Sequence, residues 1–122
     1  MNYPEIKSLL AAMDDPVMRL EFVMDLGTRL APIPGNAVCT EVSGCASRVR
    51  ICHLRLATDG SRLTFYGDAD SALVRGIVMI LTAMANEGIS DLRCEFTSLN
   101  LNLGAGRLSG VEGIIKVVSA SG

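Results

Sequence analysis

Residues 67–88, "GDADSALVRGIVMILTAMANEG", constrain the fold more than any other stretch of this sequence. Asp68 or Asp70 can accept the free N–H groups at the start of a helix here, and Gly88 can stop it. Between them the residues are apolar on nearly every helical face. A helix of that kind is stable in water only when other elements cover it on most sides. The rest of the chain must therefore supply layers that pack around a central buried helix. At 122 residues, 49% of them hydrophobic, the chain is the right size to do this as a single domain.

The candidate layers are legible on both sides of that helix. "PEIKSLLAAM" reads as a short helix with Pro4 in its first turn, where a missing N–H costs nothing. "DDPVMRLEFVMDLGTRL" reads as a second, capped by Asp15, with Pro16 at its first helical position and Val17, Leu20, Val23 and Met24 at helical spacing. "APIPG" ends it, since two prolines in four residues cannot continue a helix. Val49 to Leu56 and Arg62 to Tyr66 read as strands joined by "TDG" at 58–60, and "AVCTEV" supplies a third strand before them. That arrangement puts Cys45 in the turn between the first two strands. The segment "ISDLRCEFTSLNLNLGAG" reads either as a short helix with a loop or as extended chain. In "SGVEGIIKVV", Ser109 can cap a last helix whose stripe is Val111, Ile114, Ile115 and Val118. Helices, then strands, then helices, with no βαβ alternation, predict an α+β domain with a small antiparallel sheet covered by helices.

Charge excludes some functions. The formal net charge is −2 with both signs interspersed, so there is no basic face to gather the phosphates of a nucleic acid. The longest apolar run, Gly76 to Ala85, is shorter than a bilayer requires, and "MNYPEIKSLL" lacks the basic start and apolar core of a signal peptide. The expectation is a cytoplasmic protein, and in a cytosol Cys39, Cys45, Cys52 and Cys94 are expected as reduced thiols. Their spacing lacks the C-x2-4-C pairing of structural zinc sites.

Cys45 is the residue most suited to chemistry. Gly44 permits a tight turn and leaves one side of the thiol open, Ala46 and Ser47 leave the other side open, and Arg48 and Arg50 favour the nucleophilic thiolate. The bland alternative is a small buried hydrophobe. "VSGCASRVR" resembles the V-x-G-C-x-S-x-V signature of the SufE family, sulfur acceptors that take persulfide sulfur from cysteine desulfurases. Three further blocks are similar to that family and stand in its order: "FVMDLGTRLAPIP" at 22–34, "YGDADSALVRGIVMIL" at 66–81 and "GRLSGVEGIIKVV" at 106–118. The sequence departs from the family where Ala46 replaces a usual Gln, Arg50 a usual Trp, and the block before the last helix is shortened.

The resemblance implies a SufE/IscU-like fold, with Cys45 as the persulfide acceptor. It implies supporting roles for Asp70, at the start of the central helix, and Arg107, just before the last one. For these two the alternatives are a plain helix cap and a solvated surface charge. The implied partners are a pyridoxal-phosphate-dependent cysteine desulfurase and a downstream iron–sulfur scaffold or other sulfur acceptor; the apolar excess is also compatible with a homodimer. The cofactor stays in the desulfurase, so none is expected in this chain. A loop swinging between a sheltered and an extended pose would suit the chemistry, with prolines 32–34 and Gly44 as hinge limits. The rival reading is an iron–sulfur or zinc-binding scaffold of the IscU type, drawing on the four cysteines, His53 and Asp70.

Overall fold

The computed structural model describes residues 1–42, 48–55 and 62–121. Helix α1 (Tyr3–Ala11) starts from a capping box, in which the Asn2 side chain accepts from the Glu5 N–H and the Glu5 carboxylate accepts from the Asn2 N–H. Helix α2 (Pro16–Gly27) is capped as the sequence predicts, by Asp15 accepting from the Val17 N–H at 2.9 Å. Strands β1 (Val38–Glu41), β2 (Val49–Arg55) and β3 (Leu63–Ala69) form an antiparallel sheet in the order β1-β2-β3. Helices α3 (Ala72–Glu87), α4 (Leu92–Ser98) and α5 (Ala105–Ser121) follow. The domain is α+β with helices on a small antiparallel sheet, as expected. The "TDG" turn at 58–60 lies outside the described residues.

Helix α3 is the centre of the core. Ile77, Val78, Ile80, Leu81 and Met84 are all buried, and α3 packs against α2, β3 and α5. Two close approaches set its position. A Cβ on Gly76 would lie 2.6 Å from the Val23 carbonyl carbon, so α2 and α3 cross in direct backbone contact. A Cβ on Gly67 would meet Val78 Cγ1 at 2.6 Å and the Arg50 carbonyl at 3.0 Å, so α3 also lies flat on β3. The helix ends at Gly88, whose φ of 92° is left-handed and cheap only for glycine.

Several local expectations need correction. Neither Asp68 nor Asp70 caps α3; the N-cap is Ser71, without a side-chain cap bond. Strand β3 runs on through Gly67, Asp68 and Ala69 because β2 pairs with it to the end, Val49 opposite Ala69. The buried face of α2 is Val23, Leu26 and Gly27, while Val17 is 62% exposed and Met24 43%. Contact with α3 selects the side of α2 that carries Gly27, where a Cβ would lie 2.8 Å from Arg75 Cβ. Ser109 lies within α5, which starts at Ala105, but the predicted stripe of Val111, Ile114, Ile115 and Val118 is fully in the core. The ambiguous segment forms α4, capped by Asp91 accepting from the Cys94 N–H, and the chain then turns at Asn100, the one non-glycine with positive φ among the described residues.

Polar side chains close the remaining gaps. Arg19 donates to the carbonyls of Leu10, Met13 and Leu99, tying the ends of α1 and α4 together. Asn86 on α3 accepts from the Phe65 N–H at 2.7 Å and donates to the Phe65 carbonyl at 3.0 Å. It thereby takes the place of a fourth strand at the free edge of β3. Among the described residues no helix is long and apolar enough to cross a membrane.

Candidate functional site

The register of the β1–β2 hairpin defines the frame of the predicted acceptor segment. Val38 pairs with His53, Cys39 with Cys52, Thr40 with Ile51 and Glu41 with Arg50. The Val42 N–H donates to the Val49 carbonyl at 2.9 Å and extends the ladder by one pair. Cys45 and Ala46 stand midway in sequence between all these paired residues. Cys45 itself, with the rest of 43–47, lies outside the described residues.

On the far side of that segment the chain is held by Asp70. The Arg48 N–H donates to Asp70 Oδ1 at 3.1 Å, and the Asp70 N–H donates to the Arg48 carbonyl at 3.2 Å. Both bonds follow from the β2–β3 register, which brings residue 70 opposite residue 48 one step beyond the Val49–Ala69 pair. Asp70 is thus a clasp on Arg48, the residue where the chain rejoins the sheet after 43–47.

Around the clasp the structure forms a shallow depression of about 300 Å³, lined by Glu41, Arg48, Arg50, Asp68 and Asp70 among others. Arg50 stands directly across from Glu41 on β1 and Asp68 on β3, so opposite charges pair along the sheet. Arg75 on α3 brings its Nε to 3.4 Å from Asp68 Oδ1, an ion pair without hydrogen-bond geometry. The chain therefore presents arginines and carboxylates together at the two ends from which residues 43–47 leave the sheet.

Arg107 behaves differently. It lies in the first turn of α5 rather than before the helix, is exposed, and donates its backbone N–H to the Gly104 carbonyl at 3.0 Å. Among the described residues no hydrogen bond or ion pair joins it to Asp70 or Arg48.

The expectation of four reduced thiols fails for two of them. Cys39 and Cys52 form a disulfide with Cα atoms 4.0 Å apart. The register supplies the reason. Val42 and Val49 are a hydrogen-bonded pair, so by alternation Cys39 and Cys52 are a non-hydrogen-bonded pair, the position where antiparallel side chains come closest. The clue was already in the sequence, because both cysteines are the same number of residues from the centre of a turn placed at Cys45–Ala46.

The disulfide also changes the expected hinge. Strand β1 lies between Pro32 and Pro34 on one side and residues 43–47 on the other, and it is bonded to β2 along its whole length. Cys94 is an exposed thiol on α4. His53 is half-buried with its ring 6.4 Å from that of Phe65. Among the described residues no three His, Cys, Asp or Glu side chains converge as metal ligands would.

Comparison with known proteins agrees with this architecture. Residues 4–121 match the SufE family, described as an Fe-S metabolism associated domain. An uncharacterised SufE-like protein of Synechocystis is 28% identical over 126 aligned positions, covering 96% of this chain and 77% of that protein. An uncharacterised SufE-like protein of Rhizobium meliloti is 35% identical over 77 positions, covering 61% of this chain and 55% of that protein. With a ladder that flanks residues 43–47 on both sides, a clasp from the Gly-Asp block and a family match over nearly its whole length, the chain belongs to the SufE family of iron–sulfur metabolism domains.

Proposed function

We propose that this protein accepts persulfide sulfur from a pyridoxal-phosphate-dependent cysteine desulfurase onto Cys45 and passes it on for iron–sulfur cluster assembly or related sulfur trafficking. The Cys45 thiolate attacks the terminal sulfur of the desulfurase Cys–S–SH. A new S–S bond forms on Cys45, the old one breaks, and the desulfurase thiolate leaves. The exchange needs no metal and no cofactor from the acceptor; the pyridoxal phosphate works in the partner, where the sulfur is cut from cysteine. What an acceptor must supply is a thiolate near neutral pH, held where a second protein can reach it.

The observation that carries this reading is the reciprocal Arg48–Asp70 clasp. Asp70, which the family resemblance marks as a supporting residue, thereby gains a physical role, fixing the position from which the acceptor segment leaves the sheet. Arg107 is proposed as a charge on the docking surface rather than as part of that clasp. The scaffold alternative is disfavoured because two of its four thiols are spent in the Cys39–Cys52 disulfide.

The test is incubation with a cysteine desulfurase and L-cysteine, followed by mass measurement of the peptide carrying Cys45. One added sulfur on that peptide, absent in Cys45→Ser, is the expected result. A Cys45→Ser variant that stimulates the desulfurase to the wild-type level would refute the acceptor role.

A further inference from the structure

The Cys39–Cys52 pair has an asymmetry that a simple staple does not need. Cys39 lies on β1, an edge strand exposed at every position, while Cys52 lies on the central strand and is fully buried. One sulfur can be reached from solvent and the other only across the strand. The backbone holds the two Cα atoms 4.0 Å apart, so a group placed on Cys39 faces Cys52 intramolecularly at high effective concentration. Arg50 neighbours Cys52 on the same face of β2, two residues along the strand, with Glu41 and Asp68 across from it on the flanking strands. An accessible attacking thiol backed by a sheltered resolving thiol is a chemical device in its own right.

We propose that reduced Cys39 and Cys52 act as an attack-and-resolve pair that reduces sulfane sulfur to sulfide, and that the observed disulfide is the product state. The Cys39 thiolate attacks the outer sulfur of a persulfide R–S–SH; the donor S–S bond breaks and the R–S thiolate leaves, giving Cys39–S–SH. The Cys52 thiolate then attacks Cys39 Sγ; the Cys39–Cys52 bond forms and hydrosulfide leaves. The sulfane sulfur gains two electrons and the dithiol loses two. The two thiol protons end on the donor thiol and on hydrogen sulfide. An external dithiol restores the pair. The donor is either the persulfide on Cys45 of the same chain, in which case the inference rests on the acceptor reading above, or a small-molecule persulfide.

The experiment separates these sources. In the first arm, reduced and desalted Cys45→Ser protein is mixed with glutathione persulfide. One equivalent of sulfide per chain should appear as the Cys39 and Cys52 peptides together lose two alkylatable thiols to an internal disulfide. In Cys39→Ser and Cys52→Ser on the same background, release should slow about tenfold or more, since the intramolecular step is lost. Sulfide release at unchanged rate in these variants, or release without internal disulfide formation, overturns the proposal. The reduced parent also lacks the crosslink, so its far-ultraviolet circular dichroism shows whether the serine variants differ from it in fold. In the second arm, reduced wild type is loaded by a desulfurase and L-cysteine. Sulfur leaving Cys45 as the pair oxidises identifies the chain's own persulfide as donor, and persistence of that sulfur beside a reduced pair excludes it. If Cys45 takes up no sulfur, the acceptor reading fails, and the first arm still decides the pair.

Discussion

Gly76→Ala probes the contact on which the whole site frame depends. The new Cβ would sit 2.6 Å from the Val23 carbonyl carbon and 2.7 Å from Val23 Cγ1, well inside contact distance. The carbonyl is backbone in the middle of α2, so no side-chain rotation relieves the overlap and the two helices must separate. Overpacking of a core costs about 1–3 kcal/mol and more where backbone must move, so about 3–5 kcal/mol is the gross penalty here. Alanine in place of glycine within a helix returns about 1 kcal/mol. The net expectation is a loss of about 2–4 kcal/mol, or roughly 8–16 °C in Tm for a domain of this size. Urea and thermal melts read it directly. Gly35→Ala is the control, because nothing lies within 4 Å of a Cβ there; its stability should stay within about 0.5 kcal/mol of wild type. If Gly76→Ala melts like Gly35→Ala, the backbone crossing of α2 and α3 is wrong. The position of α3, and with it the placement of Asp70 just before its N-terminus, would need another account.

Three further expectations follow from particular contacts. Asp70→Ala removes the side-chain acceptor from Arg48 while leaving the backbone bond, so sulfur uptake on Cys45 should slow several-fold. Because Asp70 is exposed, stability should fall by no more than about 1 kcal/mol, and Asp70→Asn, which keeps an acceptor oxygen, should restore most uptake. Equal uptake by all three proteins argues against a positioning role. Asn86→Ala orphans the Phe65 N–H and carbonyl and should cost about 2–3 kcal/mol in a urea melt, with faster hydrogen exchange at the Phe65 amide; unchanged exchange there would contradict the edge bond. The pair of hydrogen bonds from Lys7 and then Tyr3 holds the Glu95 carboxyl below its ordinary range, so its contribution is present above that range and is lost as pH falls through the lowered value. Burial, and then the bond to Glu95, push the Tyr3 hydroxyl above its ordinary value of 10.0, so that contribution is lost as pH rises past 10.0. Glu95→Gln should flatten the acid limb and Tyr3→Phe the alkaline limb of a plot of urea midpoint against pH, and parallel curves for wild type and variants would refute this pairing.

What the sequence made legible was the property each residue carries alone. The all-round apolarity of 72–87 and the left-handed stop at Gly88 require no partner to be read, and both the central helix and its end were found. The α5 stripe was found for the same reason, although its start was not, because the helix begins at Ala105, before the Ser109 that the sequence offers as a cap. Relational properties were missed. Val17 and Met24 look like core at helical spacing, yet α2 turns Val23, Leu26 and Gly27 inward, where Gly27 and Gly76 let the two backbones approach. Cys39 and Cys52 look like separate thiols until the register sets them opposite each other. Asp70 looks like a helix cap until β3 extends far enough to bring it beside Arg48. The candidate site consists mostly of such pairings across strands, which is why its architecture was the least legible part of the sequence.

Those pairings also fix the ends from which residues 43–47 leave the sheet. The segment is bounded on one side by the Val42–Val49 bond, on the other by the Arg48–Asp70 clasp, and at its base by the Cys39–Cys52 disulfide. Any rearrangement of β1 against β2, or of β2 against β3 at this end, must break one of the three. The disulfide yields only to chemistry. The Val42–Val49 bond is backed by a ladder in which each neighbour contributes about 1 kcal/mol. The clasp is the last step of its ladder, it depends on the exposed Asp70 carboxylate, and the Asp68 beside it is engaged with Arg75. The exit at Arg48 is accordingly the first place to open. The backbone bond from the Asp70 N–H to the Arg48 carbonyl stays when the carboxylate is lost, so Asp70→Ala loosens this end of the ladder without freeing it.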